Sequence, residues 1–165
     1  MAEQIASAME FYRGFIRGML EKGKPSVVFN DSPEYARVLI SELLRHAERK
    51  VLIYCRRFGE DVWGDEEVLS ALLGAIGRGV CIEAVLQERP EKNNRALSIL
   101  TTYGKRVFIV DTVSVEENFL IIDDAAYRVE TDINARKGYA SKHDVKVLCE
   151  VFESIRKNSH PIDRK

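Results

Sequence analysis

Glu116–Glu130, EENFLIIDDAAYRVE, is the stretch that decides the fold. Phe119–Ile122 is an apolar run stopped by Asp123 and Asp124. Ala125 and Ala126 follow, then a second extended piece, Tyr127–Glu130, in which apolar and charged residues alternate. An apolar run closed by acids and followed by alternation predicts two strands joined by a tight turn at Asp123–Asp124. Side chains two apart on a strand point the same way, so Arg128 and Glu130 share a face, as do Glu116 and Asn118.

The residues before this hairpin supply a sheet for it to join. Lys50–Cys55 (KVLIYC) is a continuous apolar strand, the pattern of a strand covered on both faces. Val80–Gln87 and Arg106–Val110 are further strands, and Ser26–Phe29 is a short candidate. Asp31-Ser32-Pro33-Glu34 combines a capping side chain, proline at the first helical position and acid in the first turn. Ala36, Leu39, Ile40, Leu43, Leu44 and Ala47 then line one helix face. Glu66–Ile76, closed by Gly77 and Gly79, and Ala96–Tyr103, ended by Gly104, are the next helices. Ala2–Lys22 is an amphipathic helix, stopped by Gly23 and Pro25, that packs on its own domain or on a partner. Thr131–Ala140 reads as polar and irregular, Lys142–Lys157 as a last helix, and Ser159–Lys165 as a loose tail.

This order predicts an α/β fold: a mixed sheet flanked by helices, parallel at first, with a C-terminal antiparallel hairpin at one side. The expected division is an N-terminal helix over 1–25, a domain over 26–157 and a tail over 158–165.

The chain has 165 residues, 45% hydrophobic and 31% charged, an ordinary soluble globular composition. With 25 Lys and Arg against 26 Asp and Glu, no global basic field draws in nucleic acid, and such binding needs a local patch. No apolar run approaches the roughly 20 residues that span a bilayer. The first residues, MAEQIASAMEFY, lack the basic start and cleavage site of a signal peptide. Cys55, Cys81 and Cys149 sit far apart in apolar segments, which reads as buried reduced thiols in a cytoplasmic protein.

Three segments resemble one half of the phospholipase D-like superfamily over roughly residues 26–157. SPEYARVLISELLRHAERKVLIYCRRF is similar to its helix leading into a strand, LLGAIGRGVCIEAVL to its helix-to-strand turn, and FLIIDD to its signature-bearing strand. The family signature is His-x-Lys, four residues, then Asp. Aligned on Asp123, Glu116 stands at the histidine position and Asn118 at the lysine position. The family's later Gly-Ser-x-Asn segment finds only Asn134 here. In the mechanism that the resemblance implies, histidine attacks phosphorus while lysine and asparagine stabilise the phosphoryl oxygens. Glu116 would repel an anionic diester and Asn118 carries no positive charge. The resemblance therefore implies a catalytically degenerate domain rather than an enzyme, paired as a homodimer with the hairpin and the Glu116–Asn118 face near its axis. Tyr127-Arg128-Val129-Glu130 resembles a pattern in a signature-lacking bacterial subgroup.

Arg56 and Arg57, just past KVLIYC, and Arg89, just past VCIEAVLQ, gather where ligands collect in open α/β sheets. Lys92, Asn93, Asn94 and Arg95 add donors to the same rim, and guanidinium groups suit phosphate or a nucleic-acid backbone. Glu60, Asp61, Asp65, Glu66 and Glu67 near the first pair, and Glu88 and Glu91 around Arg89, are placed to neutralise them. Arg128 and Glu130 form either a solvated ion pair or a buried pair that holds a ligand or partner. Glu116, Glu117, Asp123 and Asp124 make a thin case for a divalent metal, so neither a metal nor a cofactor is expected. Trp63 is expected to pack in the core. The leading expectation is a binding module for a phosphate-bearing ligand, nucleic acid or protein partner. The alternatives are a phosphodiesterase or nuclease with a non-standard site, and a structural subunit of a bacterial defence or mobile-element complex.

Overall fold

The computed structural model describes residues 1–22, 32–132, 137–141 and 145–163. Among these, seven strands form one sheet in the order β6-β5-β4-β1-β2-β3-β7. β1 (Lys50–Cys55), β2 (Cys81–Leu86) and β3 (Arg106–Val110) run parallel, joined by crossovers through α4 (Glu66–Gly77) and α5 (Arg95–Thr102). β4 (Asn118–Ile122) lies antiparallel to β1 and pairs in turn with β5 (Ala126–Asp132). The α/β mixed sheet with its antiparallel hairpin is as the sequence predicts.

The pleat divides the core into two layers. Val51, Ile53, Cys55, Ile82, Ala84, Leu120 and Ala126 point to the face covered by α1 (Ala2–Lys22), α2 (Pro33–His46), α4 and α5. Tyr54, Val85, Phe108, Phe119, Ile121 and Tyr127 point to the other face, under α6 (Val145–Lys157). No helix among the described residues is long and apolar enough to cross a membrane.

The helix starts follow their capping chemistry. Ser32 Oγ accepts from the Tyr35 N–H at 3.3 Å with Pro33 next in line, Asp65 from Glu67 and Val68, and Asn94 from Leu97 at 2.9 Å. The hairpin turn is equally local. Asp123 and Asp124 have φ of 52° and 56°, a left-handed pair that aspartate tolerates, and the Ala125 N–H bonds to the Ile122 carbonyl at 2.9 Å. The Asp123 carboxylate also accepts from the backbone N–H groups of Glu48, Arg49 and Lys50 at 2.7, 2.8 and 2.9 Å. It thereby ties the hairpin to the loop that enters β1.

Four expectations change. The 131–140 stretch is not wholly irregular, since β6 (Lys137–Ser141) pairs antiparallel with β5. The tail is not loose: β7 (Ser159–Pro161) pairs with β3, the Ile162 N–H bonds to the Val107 carbonyl at 2.9 Å, and Ile162 is buried. Within the loop before α4, Glu60–Trp63 forms a short helix, α3. Of the cysteines Cys55 is buried, but Cys149 is half-buried and Cys81, first in its strand, is exposed. Trp63 packs in the core edge-on to Phe58. Gly23, Pro25, the Ser26–Phe29 strand candidate and Asp31 lie outside the described residues.

α1 is clamped to the domain by charge as well as by Tyr12 and Ile16, which are buried in the first layer. Glu42, 1% exposed on α2, accepts from Arg13 at 2.9 Å, from Arg17 at 3.1 Å through two nitrogens, and from Arg45 at 3.0 Å. Glu67 on α4 closes the network with Arg13 and Arg45. Burial alone would push the Glu42 carboxyl up, but the Arg17 and Arg13 donors outweigh it and hold it below the ordinary range.

Candidate functional site: a cleft at the carboxyl end of the first strand

A cleft of about 590 Å³ opens beyond the carboxyl end of β1. Its floor comes from the hairpin, since Asn118, at the start of β4, stands opposite Glu130 in the register of β5. Arg128 lies two residues back on the same face, and the three side chains line the cleft together. One wall is the Cys55–Trp63 segment, and another is the first turn of α2 with Ser32 and Pro33. Glu91, Asn93 and Asn94 close the side nearest α5.

The Arg128–Glu130 pair is buried rather than solvated. Their side chains are 8% and 16% exposed, with Arg128 Nη2 3.2 Å from Glu130 Oε2. Desolvation lowers the pKa of the Arg128 guanidinium, and the Glu130 charge opposes that shift. Asn118 Oδ1 accepts from the Arg56 N–H at 3.0 Å, so its amide fixes the chain as it leaves β1. Asn94 Nδ2 donates to the Phe58 carbonyl at 2.8 Å and locks the same segment from the other side. Phe58 itself has φ of 56°, a left-handed position that these contacts maintain.

Arg56 and Arg57 stand at the mouth with side chains 54% and 53% exposed. Both lean on Glu88, at 3.3 and 3.6 Å. Arg89 is not part of this group: it lies 3.9 Å from Asp163 and does not line the cleft. Arg95 pairs with Glu66 at 2.7 Å, and Lys92 is exposed away from the lining. Glu60, Asp61 and Glu91 do line the cleft, so acids share it with the two arginines.

The signature positions divide in space. Asn118 reaches the cleft, Glu116 is exposed outside it, and Asp123 lies at the far end of β4 as the backbone clamp. Glu116 and Glu117 are thus a strand's length from Asp123 and Asp124, and the four acids do not converge on one point. Asp124 instead pairs with Lys50 Nζ at 2.8 Å. Asn134 and His143 lie outside the described residues. Of the described histidines, His46 Nδ1 is 2.9 Å from the Glu42 carbonyl and His160 Nδ1 is 2.7 Å from Asp111, and neither lines the cleft. Cys55 does line it, but burial pushes its thiol up to about 12, far from a thiolate at neutral pH.

The first turn of α2 is the part of the cleft that sequence reasoning missed. Its cap was readable, but only the packing of α2 over β4 and β5 aims it at the hairpin. The Glu42 hub was missed too. Its signal is an acid inside a leucine-rich helix face, matched by Arg13 and Arg17 one turn apart on α1.

Neither a protein-family model nor a curated protein sequence matches this chain. Solved structures do. A phospholipase D family member, Nuc from Salmonella typhimurium, matches with a TM-score of 0.67 at 16% identity, over 86% of this chain and 100% of that one. NucT from Helicobacter pylori matches at 0.63 and 13% identity, over 84% and 99%. TrmBL2, an archaeal chromatin protein whose structure shows a novel mode of DNA binding, matches at 0.63 and 14% identity. That match covers 98% of this chain and 64% of TrmBL2, so the chain spans somewhat under two-thirds of it. The protein therefore has the phospholipase D-like fold, with Asn118, Arg128 and Glu130 at the cleft where its hairpin meets β1.

Proposed function

We propose that this protein is a non-hydrolytic phospholipase D-like domain of the bacterial cytoplasm that holds a small phosphate-bearing ligand in the cleft beyond β1. Residues 26–157 carry the cleft, α1 and β7 pack onto them, and the chain pairs as a homodimer with one cleft in each copy. The observation that carries the reading is the buried Arg128–Glu130 pair on the floor of an open cleft. A buried ion pair contributes little net stability compared with apolar packing, so one that borders a cavity is best accounted for by what enters the cavity.

The polarity of the walls orients the ligand. The exposed arginine contacts with Glu88 are surface pairs worth at most about 1 kcal/mol, which a phosphate dianion readily outcompetes. The positive end of the α2 dipole faces the same cleft. Glu130 would repel an anion at the floor, so the phosphate sits at the mouth, and the ligand's hydroxyl groups meet Asn93, Glu130 and Arg128. Glu60, Asp61 and Glu91 disfavour a long polyanion. Hydrolysis is disfavoured because the cleft presents neither an imidazole nor a thiolate among the described residues.

Calorimetric titration with a sugar phosphate, its unphosphorylated parent and inorganic phosphate tests this. Binding of the phosphorylated compound is expected, lost in Glu130→Gln and weakened in Arg56→Ala/Arg57→Ala. Turnover of bis(p-nitrophenyl) phosphate with any divalent metal, abolished by Glu116→Ala or Glu130→Ala, would make the protein an enzyme instead. The likeness to TrmBL2 favours a second reading, in which the arginines hold DNA. A salt-dependent mobility shift lost in Arg56→Ala/Arg57→Ala, without any sugar-phosphate affinity, would establish it.

A further inference from the structure

α1 has two apolar faces, and the domain uses one. Tyr12 and Ile16 are buried, with Met9, Met19 and Leu20 packed around them. On the other side Phe11 is 79% and Phe15 50% exposed. Gln4, Ala8, Phe11, Phe15, Gly18 and Lys22 follow one another at alternating spacings of four and three, the repeat of a helix-pairing seam.

Two glycines point the same way. A β-carbon at Gly14 or Gly18 would meet nothing within 4 Å, so the isolated protomer has no packing need for either. Glycine inside a helix weakens it relative to alanine. What a small residue provides is close approach by a second backbone.

The seam is also self-complementary. Reversing the helix about Arg13 carries Phe11 onto Phe15, Ala8 onto Gly18 and Gln4 onto Lys22. We propose that a second copy of the chain docks antiparallel on this face, with Phe11 of one protomer against the partner's Phe15. The four phenyl rings then cluster at a two-fold axis, flanked by small residues that let the helices close. Charge selects the direction. A parallel pair would stack Lys22 on the partner's Lys22, whereas the antiparallel pair sets it beside the partner's Gln4 and Glu3.

Sedimentation velocity on the full chain, over about 1 to 100 µM, should show twice the 18.8 kDa protomer mass, with the transition at micromolar concentration. Phe11→Glu/Phe15→Glu should sediment as the protomer with an unchanged helical signal, and its sugar-phosphate affinity should match the parent chain's. In a Cys81→Ser/Cys149→Ser background, mixed Ala8→Cys and Gly18→Cys chains should form the 8–18 disulfide on oxidation. That cross-link decides the matter if the glutamate variant fails to fold. A protomer at all concentrations overturns the inference. So does a dimer that survives Phe11→Glu/Phe15→Glu, which would place the contact elsewhere, as at the Glu116–Asn118 face. An 8–8 disulfide in the Ala8→Cys chain alone would overturn the antiparallel order.

Discussion

Two buried ionic clusters in this protein use the same residue types to opposite ends. At Glu42 a carboxylate 1% exposed collects donors from Arg13, Arg17 and Arg45 in a packed interface of three helices. At Glu130 a carboxylate 16% exposed faces Arg128 at 3.2 Å on the wall of a cleft. In the first cluster the protein surrounds the carboxylate, and the network acts as a clamp between α1, α2 and α4. In the second, the groups border a space that another molecule can enter. Burial of charge does not by itself mark a functional site; a neighbouring cavity is what separates the second cluster from the first.

Breaking the clamp should have the largest effect on stability. Glu42→Ala leaves Arg13 with only Glu67 and the exposed Glu10, so the cost should lie at the lower end of that for breaking a buried pair, about 3 kcal/mol. In a chain of this size that lowers the thermal midpoint by roughly 10 °C, measurable by circular dichroism. The same cluster sets the acid limb of stability. Glu42 and Glu67 both titrate below the ordinary carboxyl value of 4.5, because bonds from the arginines outweigh the cost of burial. A carboxyl depressed in the folded state contributes stability that is complete above its unfolded value and is lost as pH falls through the folded one. Urea midpoints of the parent chain should therefore hold near neutrality and fall below about pH 4.5, with a shallower fall in Glu42→Gln.

Asp123 supplies an intermediate case, a carboxylate satisfied by backbone rather than by arginine. Asp123→Ala strands the N–H groups of Glu48, Arg49 and Lys50 and places alanine at a φ of 52°. A loss of about 2–3 kcal/mol in urea unfolding is expected, smaller in Asp123→Asn, which tolerates the turn and keeps one acceptor. The cleft lies at the other end of β4, so ligand affinity should change less than tenfold.

What the sequence made readable follows from the range of each interaction. Caps, apolar periodicity and turn chemistry act over a few residues, so β1 to β5, α2, α4, α5 and the Asp123–Asp124 turn could be placed. β6 and β7 escaped because KGYAS and SHP carry no apolar alternation; their pairing with β5 and β3 comes from the sheet edges they meet. Arg128 and Glu130 could be put on one face by their spacing, but their burial depends on helices packed over β5. Strand position groups Arg89 with Arg56 and Arg57, yet it turns toward Asp163, on a segment the sequence predicts to be loose. Glu42 stands out locally as an acid inside a leucine-rich helix face, but its partners do not, because Arg13 and Arg17 lie 29 and 25 residues away.

Changes at the cleft should invert the pattern of the clamp, with modest effects on stability and large ones on binding. Glu130→Gln keeps the volume and one acceptor for Arg128, so its unfolding free energy should shift by about 1 kcal/mol, while ligand affinity falls at least tenfold. Equal fractional losses of both in Glu130→Gln would mean that the pair is a second clamp.

The smallest structural effect is expected at the mouth. Arg56 and Arg57 are half exposed, and their contacts with Glu88 are surface ion pairs, so Arg56→Ala/Arg57→Ala should change stability by less than about 0.5 kcal/mol. In the proposed binding mode, their contribution to an incoming phosphate would be electrostatic and screened by salt. Raising ionic strength should therefore weaken sugar-phosphate binding in the parent chain and have little effect on the residual binding of Arg56→Ala/Arg57→Ala. The comparison also separates the two ends of the cleft, because affinity lost through Glu130→Gln comes from hydrogen bonds at a buried floor and should be nearly independent of salt. If both variants lose their salt dependence together, the phosphate reaches the Arg128–Glu130 floor itself, and the ligand lies the other way round.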